Sequence, residues 1–455
     1  MKTAWTRLET KPDAVREEAR LTGGGDTVLL DSCGRGRYTV LAWDPVWKGV
    51  FHHGDQPDVF RVLDDLLSDM TALKAPSDAP PFLTGVLGCL GYELAWDLER
   101  IAPPKKRMTS VPDAVLMIPG KVLVTDGETD AAWVTVTVRE GDPERELEQL
   151  VRKLTSEKNR EPSGRKMPVE ILRPMTPEIG REEYMHRVLR VQEYIGRGDI
   201  YQANLAYRVE GEMRGDPRGL FEALRKTNPG AWSAFLRFPG FSVLSSSPEQ
   251  FLRWERGFIE TRPIKGTRPR GENPAEDRHY REELKMSEKD RAELVMIVDL
   301  ERNDFGKFCK TGSIRVPELF TIEAHPTVWH QVARVTGRFP EETGPGQIFR
   351  HVFPGGSITG APKLRSMQVI HEVEKSRRGF YTGSIGYADP RGTGEWNIAI
   401  RTMTWTGGET GTLSYHVGGG IVADSDPLLE YEETRAKGRG MEEAIRQWAA
   451  KGMKV

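Results

Sequence analysis

The sequence predicts an α+β protein built largely of antiparallel strands. Three observations lead there. Short runs rich in Val, Leu and aromatic residues, bounded by turn residues, recur through both halves of the chain. Segments with apolar residues at helical spacing stand between them. Near the C-terminal end, the connections PRGTG and TGGETG are too short for the crossover that parallel pairing needs, so the strands they join must run antiparallel.

Taken in order, DTVLLDS, RYTVLAW, FLTGVLGCLGYEL, AVLMIPGKVLVTD and AAWVTVTVRE read as strands, with helices near 58–73 and 142–158. Residues 155–178 are polar and interrupted by prolines, too poor in apolar groups to bury much surface, and read as a connector with a boundary near 165. The expected organisation is an N-terminal unit over residues 1–160 and a C-terminal one over 175–450. Beyond the connector, REEYMHRVLRVQEYIG has helical periodicity and stops at a glycine, and YQANLAYRVEGEM alternates as a strand. Pro274 opens what reads as one long polar helix through DRHYREELKMSEKDRAELVMIVDL, anchored late by Leu294, Ile297 and Val298. YTGSIGYAD, EWNIAIRTMTW and TLSYHVGGGIVA form a three-stranded meander. Asp426 then caps a last helix with Pro427 at its first position.

The composition narrows the function. With 38% hydrophobic and 29% charged residues among 455, the chain has the make-up of a globular protein with a sizeable core. Its 65 Lys and Arg nearly cancel 67 Asp and Glu, so no global field draws it to nucleic acid or to an anionic membrane. No run approaches the ~20 apolar residues that span a bilayer, and the first residues are charged where a signal peptide needs an apolar stretch. Three cysteines, Cys33, Cys89 and Cys309, form no CxxC pair, which argues for a reducing compartment. The expectation is a cytoplasmic protein.

Several stretches carry groups suited to chemistry. TRPIKGTRPRG places Arg262, Lys265, Arg268 and Arg270 in one loop, which reads as a solvated basic loop, a phosphate cradle or the seat of a reactive lysine. Glu430, Glu433 and Lys437 fall on one face of the last helix. That face is either a solvated stripe or, if buried, the wall of a cation site to which Glu293 could add a carboxylate; hard Mg²⁺ suits such oxygens. FPGGSITGAPK lacks the GK[ST] of a nucleotide-binding P-loop, yet Ser357 and Thr359 could meet a carboxylate ahead of the helix that follows Pro362. Gly418, Gly419 and Gly420 end a meander strand with no βαβ crossover, so a bare backbone approaching a small anion suits them better than a dinucleotide. Arg401 is either a carboxylate clamp or a surface charge, His330 a structural or site histidine, and Glu249 a turn residue or an acid. GCLGYE resembles a glutaminase cysteine elbow, but no His-x-Glu partner follows, and Cys89 reads as a small buried residue.

SSSPEQF, PIKGTRPRG, DRAELVMIVDLERND, FPGGSITGAPK, GSIGY, IRTM, GGGIVADSDP and EYEETRAK occur in that order. Together they resemble the chorismate-utilising enzymes, a family containing the anthranilate, aminodeoxychorismate, isochorismate and salicylate synthases. The similarity runs over roughly residues 180–448 and implies a large sandwich of antiparallel β-sheets flanked by helices. It also implies that Glu293, Glu430 and Glu433 bind Mg²⁺, and that Thr359, Tyr387, Arg401 and the backbone of Gly418, Gly419 and Gly420 hold the carboxylates of chorismate. Lys437 completes the site, and His330 counts with the catalytic residues.

Lys265 places the sequence within the family. Anthranilate synthases usually read PIAGT here and aminodeoxychorismate synthases PIKGT, so the resemblance implies that Lys265 adds to ring carbon 2 and expels the hydroxyl from carbon 4. Ammonia then attacks carbon 4 and releases the lysine. Glu249 resembles the group that protonates the departing hydroxyl. Gln202 stands where isochorismate synthases have a water-activating lysine. The implied product is 4-amino-4-deoxychorismate, for para-aminobenzoate and folate, with ammonia from a partner glutamine amidotransferase subunit. The alternatives are an anthranilate synthase component I and an inactive sensor of chorismate or an amino acid; the sensor would need a broken catalytic position, and none is seen. VLLDS resembles the element with which anthranilate synthases bind tryptophan, with Asp31 in place of Glu. An amino-acid effector site at Ser32, Asn228 and Pro229 is the corresponding expectation.

Overall fold

The computed structural model describes residues 1–99, 101, 105, 111–156, 167–325 and 328–452. Among the described residues twenty strands form one continuous hydrogen-bonded network, and every pairing is antiparallel. Its spine is the pair Tyr38–Phe51 and Ala114–Asp126. The register of that pair shifts between Pro45 and Trp47. Proline has no N–H for the ladder, and Pro45 stands opposite Pro119, so the two strands bend there together.

Two sheets diverge from the bend. One runs from Tyr38–Phe51 through Thr27–Asp31, Trp232–Phe238, Phe241–Ser247, Thr402–Gly407 and Thr410–Ile421 to Gln202–Arg214. The other runs from Ala114–Asp126 through Val86–Leu90, Ser384–Asp389, Thr393–Asn397, Gln250–Glu255 and Phe258–Arg262 to Val328–Arg338. This is the antiparallel sandwich with flanking helices that the sequence resemblance implies. Both sheets mix strands from either side of the polar stretch around residue 165, which itself lies outside the described residues.

Apolar side chains seal the layers. Leu205, Tyr207 and Phe235 of the sheet share one core with Phe221 of the helix Pro217–Thr227 and Met441 of the helix Pro427–Gly452, while Phe60, Phe349, Phe353 and Trp396 fill a second core. Burying each such side chain contributes about 1.5–3 kcal/mol. No helix among the described residues is long and apolar enough to cross a membrane.

Four elements differ from the sequence reading. Glu170–Pro177, assigned to the connector, is an edge strand on Gln202–Arg214, and its polarity follows from its exposure. The alternation expected of YQANLAYRVEGEM is confined to its end, because Gln202–Val209 is covered on both faces. The long polar helix is two, Pro274–Met286 and Glu288–Gly306, broken at Ser287, whose hydroxyl caps the second by accepting from the Asp290 N–H at 3.3 Å. The middle meander strand is also two, Thr393–Asn397 and Thr402–Gly407, separated by a turn in which Arg401 takes a left-handed φ of 51°. Both breaks position the site.

Candidate active site

The loop that holds Lys265 forms the strand Ile264–Pro269, which pairs with Val328–Arg338 and slips register between Lys265 and Thr267. Gly266 makes the slip possible: its φ is 73°, and a Cβ there would lie 2.7 Å from Leu284 and 2.9 Å from Asp290. The arginines of the loop are neutralised by neighbours. Arg262 pairs with Glu323, Arg268 with Glu283 at 2.7 Å and Asp290 at 3.1 Å, and Arg270 with Asp277 at 2.6 Å. Lys265 has no carboxylate within ion-pair distance among the described residues. Its Nζ lies 3.4 Å from the Ser357 carbonyl, and it is half-buried in the wall of a cavity.

That cavity, about 780 Å³, lies where the two sheets, the helix Glu288–Gly306 and the last helix converge. Its lining brings together Glu249, Lys265, Glu293, His330, Arg401, Gly418, Gly420, Glu430, Glu433 and Lys437, groups drawn from nearly 200 residues of sequence. A volume of this size suits a small ring acid.

Glu249 is buried, and burial pushes its carboxyl pKa up, opposed by the hydroxyl of Ser357, which donates to Oε1 at 2.7 Å, and by the charge of Lys265. Arg401 has Asn228 Oδ1 as a distant acceptor at 3.5 Å and no carboxylate partner among the described residues. Burial lowers its pKa, and a second cation, Arg35, works in the same direction. His330 is pushed down to about 3 by burial and then by Arg401, so it is neutral across the physiological range, with Nδ1 2.9 Å from the Thr267 hydroxyl.

Across the cavity stand the carboxylates. Ser425 donates to Glu430 Oε1 at 2.7 Å, Lys289 lies 3.7 Å from the same oxygen, and Oε2 is buried with no partner. Lys437 bridges back to Glu433 at 2.6 Å, lowering its pKa, and donates to the Gly418 carbonyl at 3.1 Å. Burial raises Glu293 and Glu430. Gly419 passes close beneath; a Cβ there would come within 3.3 Å of Glu430 Oε2. The backbones of Gly418 to Gly420 are paired with Asn204–Ala206 in the sheet, so these glycines give close approach along a fixed strand.

Other expected residues lie elsewhere. The Thr359 hydroxyl is buried and turned onto the Gly355 and Gly356 carbonyls at 2.9 and 3.2 Å. Tyr387 packs on Phe82, ring centroids 5.0 Å apart, in a separate apolar cluster; Tyr381 is the tyrosine lining the cavity, stacked on His416 at 5.2 Å. Cys89 is fully buried in Val86–Leu90, and burial pushes its thiol pKa up. Of the expected effector residues, Ser32 is buried at the end of Thr27–Asp31, and Asn228, followed by Pro229, donates to the Ser246 hydroxyl at 2.9 Å. The neighbouring Asp31 carboxylate is taken up by Arg225 and by the Cys33 N–H at 3.0 Å. Sequence reasoning missed Arg35, which has no ion-pair partner among the described residues and adds its field to Arg401 and His330 from the loop after Thr27–Asp31. No motif marks it, since its role comes from the pairing of Thr27–Asp31 with Trp232–Phe238.

Residues 25–443 match the family model of the chorismate binding enzymes. The chain is 39% identical over 377 residues to a protein named aminodeoxychorismate synthase component 1 from Salmonella typhimurium, covering 83% of this chain and 80% of that one. It is 35% identical over 437 residues to the protein of the same name from Bacillus subtilis, covering 92% and 91%. The crystal structure of anthranilate synthase component I from Streptococcus pneumoniae superposes with a TM-score of 0.79 at 28% identity, covering 89% of this chain and 92% of that one.

Proposed function

The chain belongs to the chorismate binding enzymes, and from that premise we propose that it is the component of an aminodeoxychorismate synthase that converts chorismate and ammonia to 4-amino-4-deoxychorismate. The observation that carries this reading is Lys265, the cation of its loop without a carboxylate partner among the described residues, set on one cavity with buried Glu249. Arg401, also without a carboxylate partner, suits a substrate carboxylate, and Arg35 adds positive field on the same side.

In this mechanism the neutral Lys265 amine adds to ring carbon 2, both conjugated ring double bonds shift, and the hydroxyl leaves carbon 4 as water with a proton from Glu249. The raised pKa of Glu249 suits it to hold that proton. Ammonia then attacks carbon 4, both double bonds shift back and the lysine departs as the neutral amine. The Glu249 carboxylate recovers its proton from the new ammonium on carbon 4. His330, neutral, acts as a hydrogen-bonding wall rather than a proton source.

Mg²⁺ fits the opposite wall. Among the described residues no three acidic side chains are close enough to clasp an ion unaided. Mg²⁺ is commonly held by one or two carboxylates with water and substrate completing the shell, and the partnerless Glu430 Oε2 beside Glu433 and Glu293 offers such oxygens. When bound, it would neutralise the ring carboxylate of chorismate. Ammonia would come from a second protein, in keeping with the relatives' name of component 1.

Incubating the purified chain with chorismate, Mg²⁺ and an ammonium salt tests the reading. The expected product carries its amine para to the ring carboxylate. An ortho amine with release of pyruvate would assign the chain to anthranilate synthesis, and no amino product would sink the proposal.

A further inference from the structure

Within the DLERND segment, Glu301 has no part in the reaction proposed above, yet it is 2% exposed on the inner face of Glu288–Gly306. One carboxylate oxygen accepts from the Gly356 N–H at 3.1 Å, and the other is buried with no partner. Its charged neighbour Asp304 is committed elsewhere, to Lys307 at 2.8 Å and to Lys363. A buried carboxyl with a single backbone N–H partner is costly to the fold, and the N–H it holds is that of Gly356.

Gly356 opens the short 3₁₀ turn Gly356–Ile358. The next residue, Ser357, touches both reacting groups: its hydroxyl donates to Glu249 at 2.7 Å, and its carbonyl lies 3.4 Å from Lys265 Nζ. At the far end of the turn the Thr359 hydroxyl folds back onto the Gly355 and Gly356 carbonyls, while the Thr359 carbonyl accepts from the Asn204 N–H at 2.8 Å and the Ile358 carbonyl from Arg378 at 3.0 Å. Glu301 is therefore the side chain that fastens the start of this turn to a helix, and the same helix carries Glu293 to the cavity.

We infer that Glu301 is a positioning residue, which sets the distance between the acid Glu249 and the amine Lys265 by anchoring the Gly356 N–H. This rests on the proposed roles of Glu249 and Lys265. Burial, and the charge of Asp304, push the Glu301 carboxyl pKa up, opposed by the charge of Lys363; glutamine keeps an acceptor oxygen for the Gly356 N–H at the same position.

The test compares Glu301→Gln, Glu301→Leu and Gly356→Ala in the full chain. The glutamine keeps the acceptor and should retain most of kcat. The leucine should lose about 100-fold in kcat, the scale of a misplaced reacting group. KM for chorismate should change less than about threefold, since the cavity that binds it is left intact. Gly356→Ala, whose Cβ would lie 2.7 Å from Leu300 and 2.9 Å from Glu301, should lose kcat in the same way and decides the matter if the leucine variant does not fold. Hydrogen exchange supplies a readout independent of turnover: residues 355–359 should exchange faster in the leucine or alanine variant and at the wild-type rate in the glutamine one. A folded leucine variant with full kcat and unchanged exchange would overturn the inference, as would a glutamine variant as poor as the leucine. If Lys265→Ala stays active, the proposed reaction falls, and the exchange rates still decide whether Glu301 holds the turn.

Discussion

The hydroxyl of Ser357 donates to Glu249 at 2.7 Å in a buried setting, which makes Ser357 the main hydrogen-bonding brake on the rise of the Glu249 pKa. The sign follows. Burial favours the protonated acid, and the serine favours the carboxylate. A rate that needs the proton of Glu249 falls as pH rises through its elevated pKa. Ser357→Ala should therefore move the basic limb of the pH–rate profile to higher pH. A limb that stays in place, or moves down, would remove Glu249 as the acid.

The carboxylate wall leads to a metal prediction. Glu293→Gln and Glu433→Gln should each lower Mg²⁺-dependent turnover by about 100-fold or more, and chelator should abolish wild-type activity until Mg²⁺ is restored. Full activity of both variants in chelator would contradict it.

Ser287 separates two helices by capping the second. Losing an N-cap hydroxyl costs about 1 kcal/mol, so Ser287→Ala should lower unfolding free energy by that amount in denaturant titration, with activity falling if Glu293 moves with the helix. An unchanged midpoint would mean that the cap contributes nothing.

Cys89 is sealed in a strand and burial raises its thiol pKa, so it has no route to act on glutamine. Ammonium salts at raised pH should support turnover by the pure chain, and glutamine alone should not. Glutamine-driven turnover without a second protein would refute this.

Much of the site could be read before the structure because its residues sit in short local motifs: Lys265 in PIKGT, Glu430 and Glu433 one turn apart, and Arg401 at the end of NIAI. What escaped depended on tertiary contacts. EWNIAIRTMTW patterns as one strand, and nothing in it signals the left-handed Arg401 that breaks it. Tyr381 and Tyr387 are chemically alike, and only the pairing of Ser384–Asp389 with Val86–Leu90 turns Tyr387 onto Phe82. The break at Ser287 did have a local signal, a serine three residues before an acidic one, which the continuous polar pattern masked. The loop arginines stand beside Lys265 in sequence, and only the fold shows that each is occupied by its own carboxylate.

The most direct measurement is the mass of the chain after incubation with chorismate and Mg²⁺ in the absence of ammonia, followed by peptide mapping. Covalent catalysis predicts a substrate-derived mass on the peptide containing Lys265, absent from Lys265→Ala, which should also lose most product formation. An unmodified peptide together with substantial activity in Lys265→Arg would contradict it, leaving Lys265 as a point charge for a substrate carboxylate.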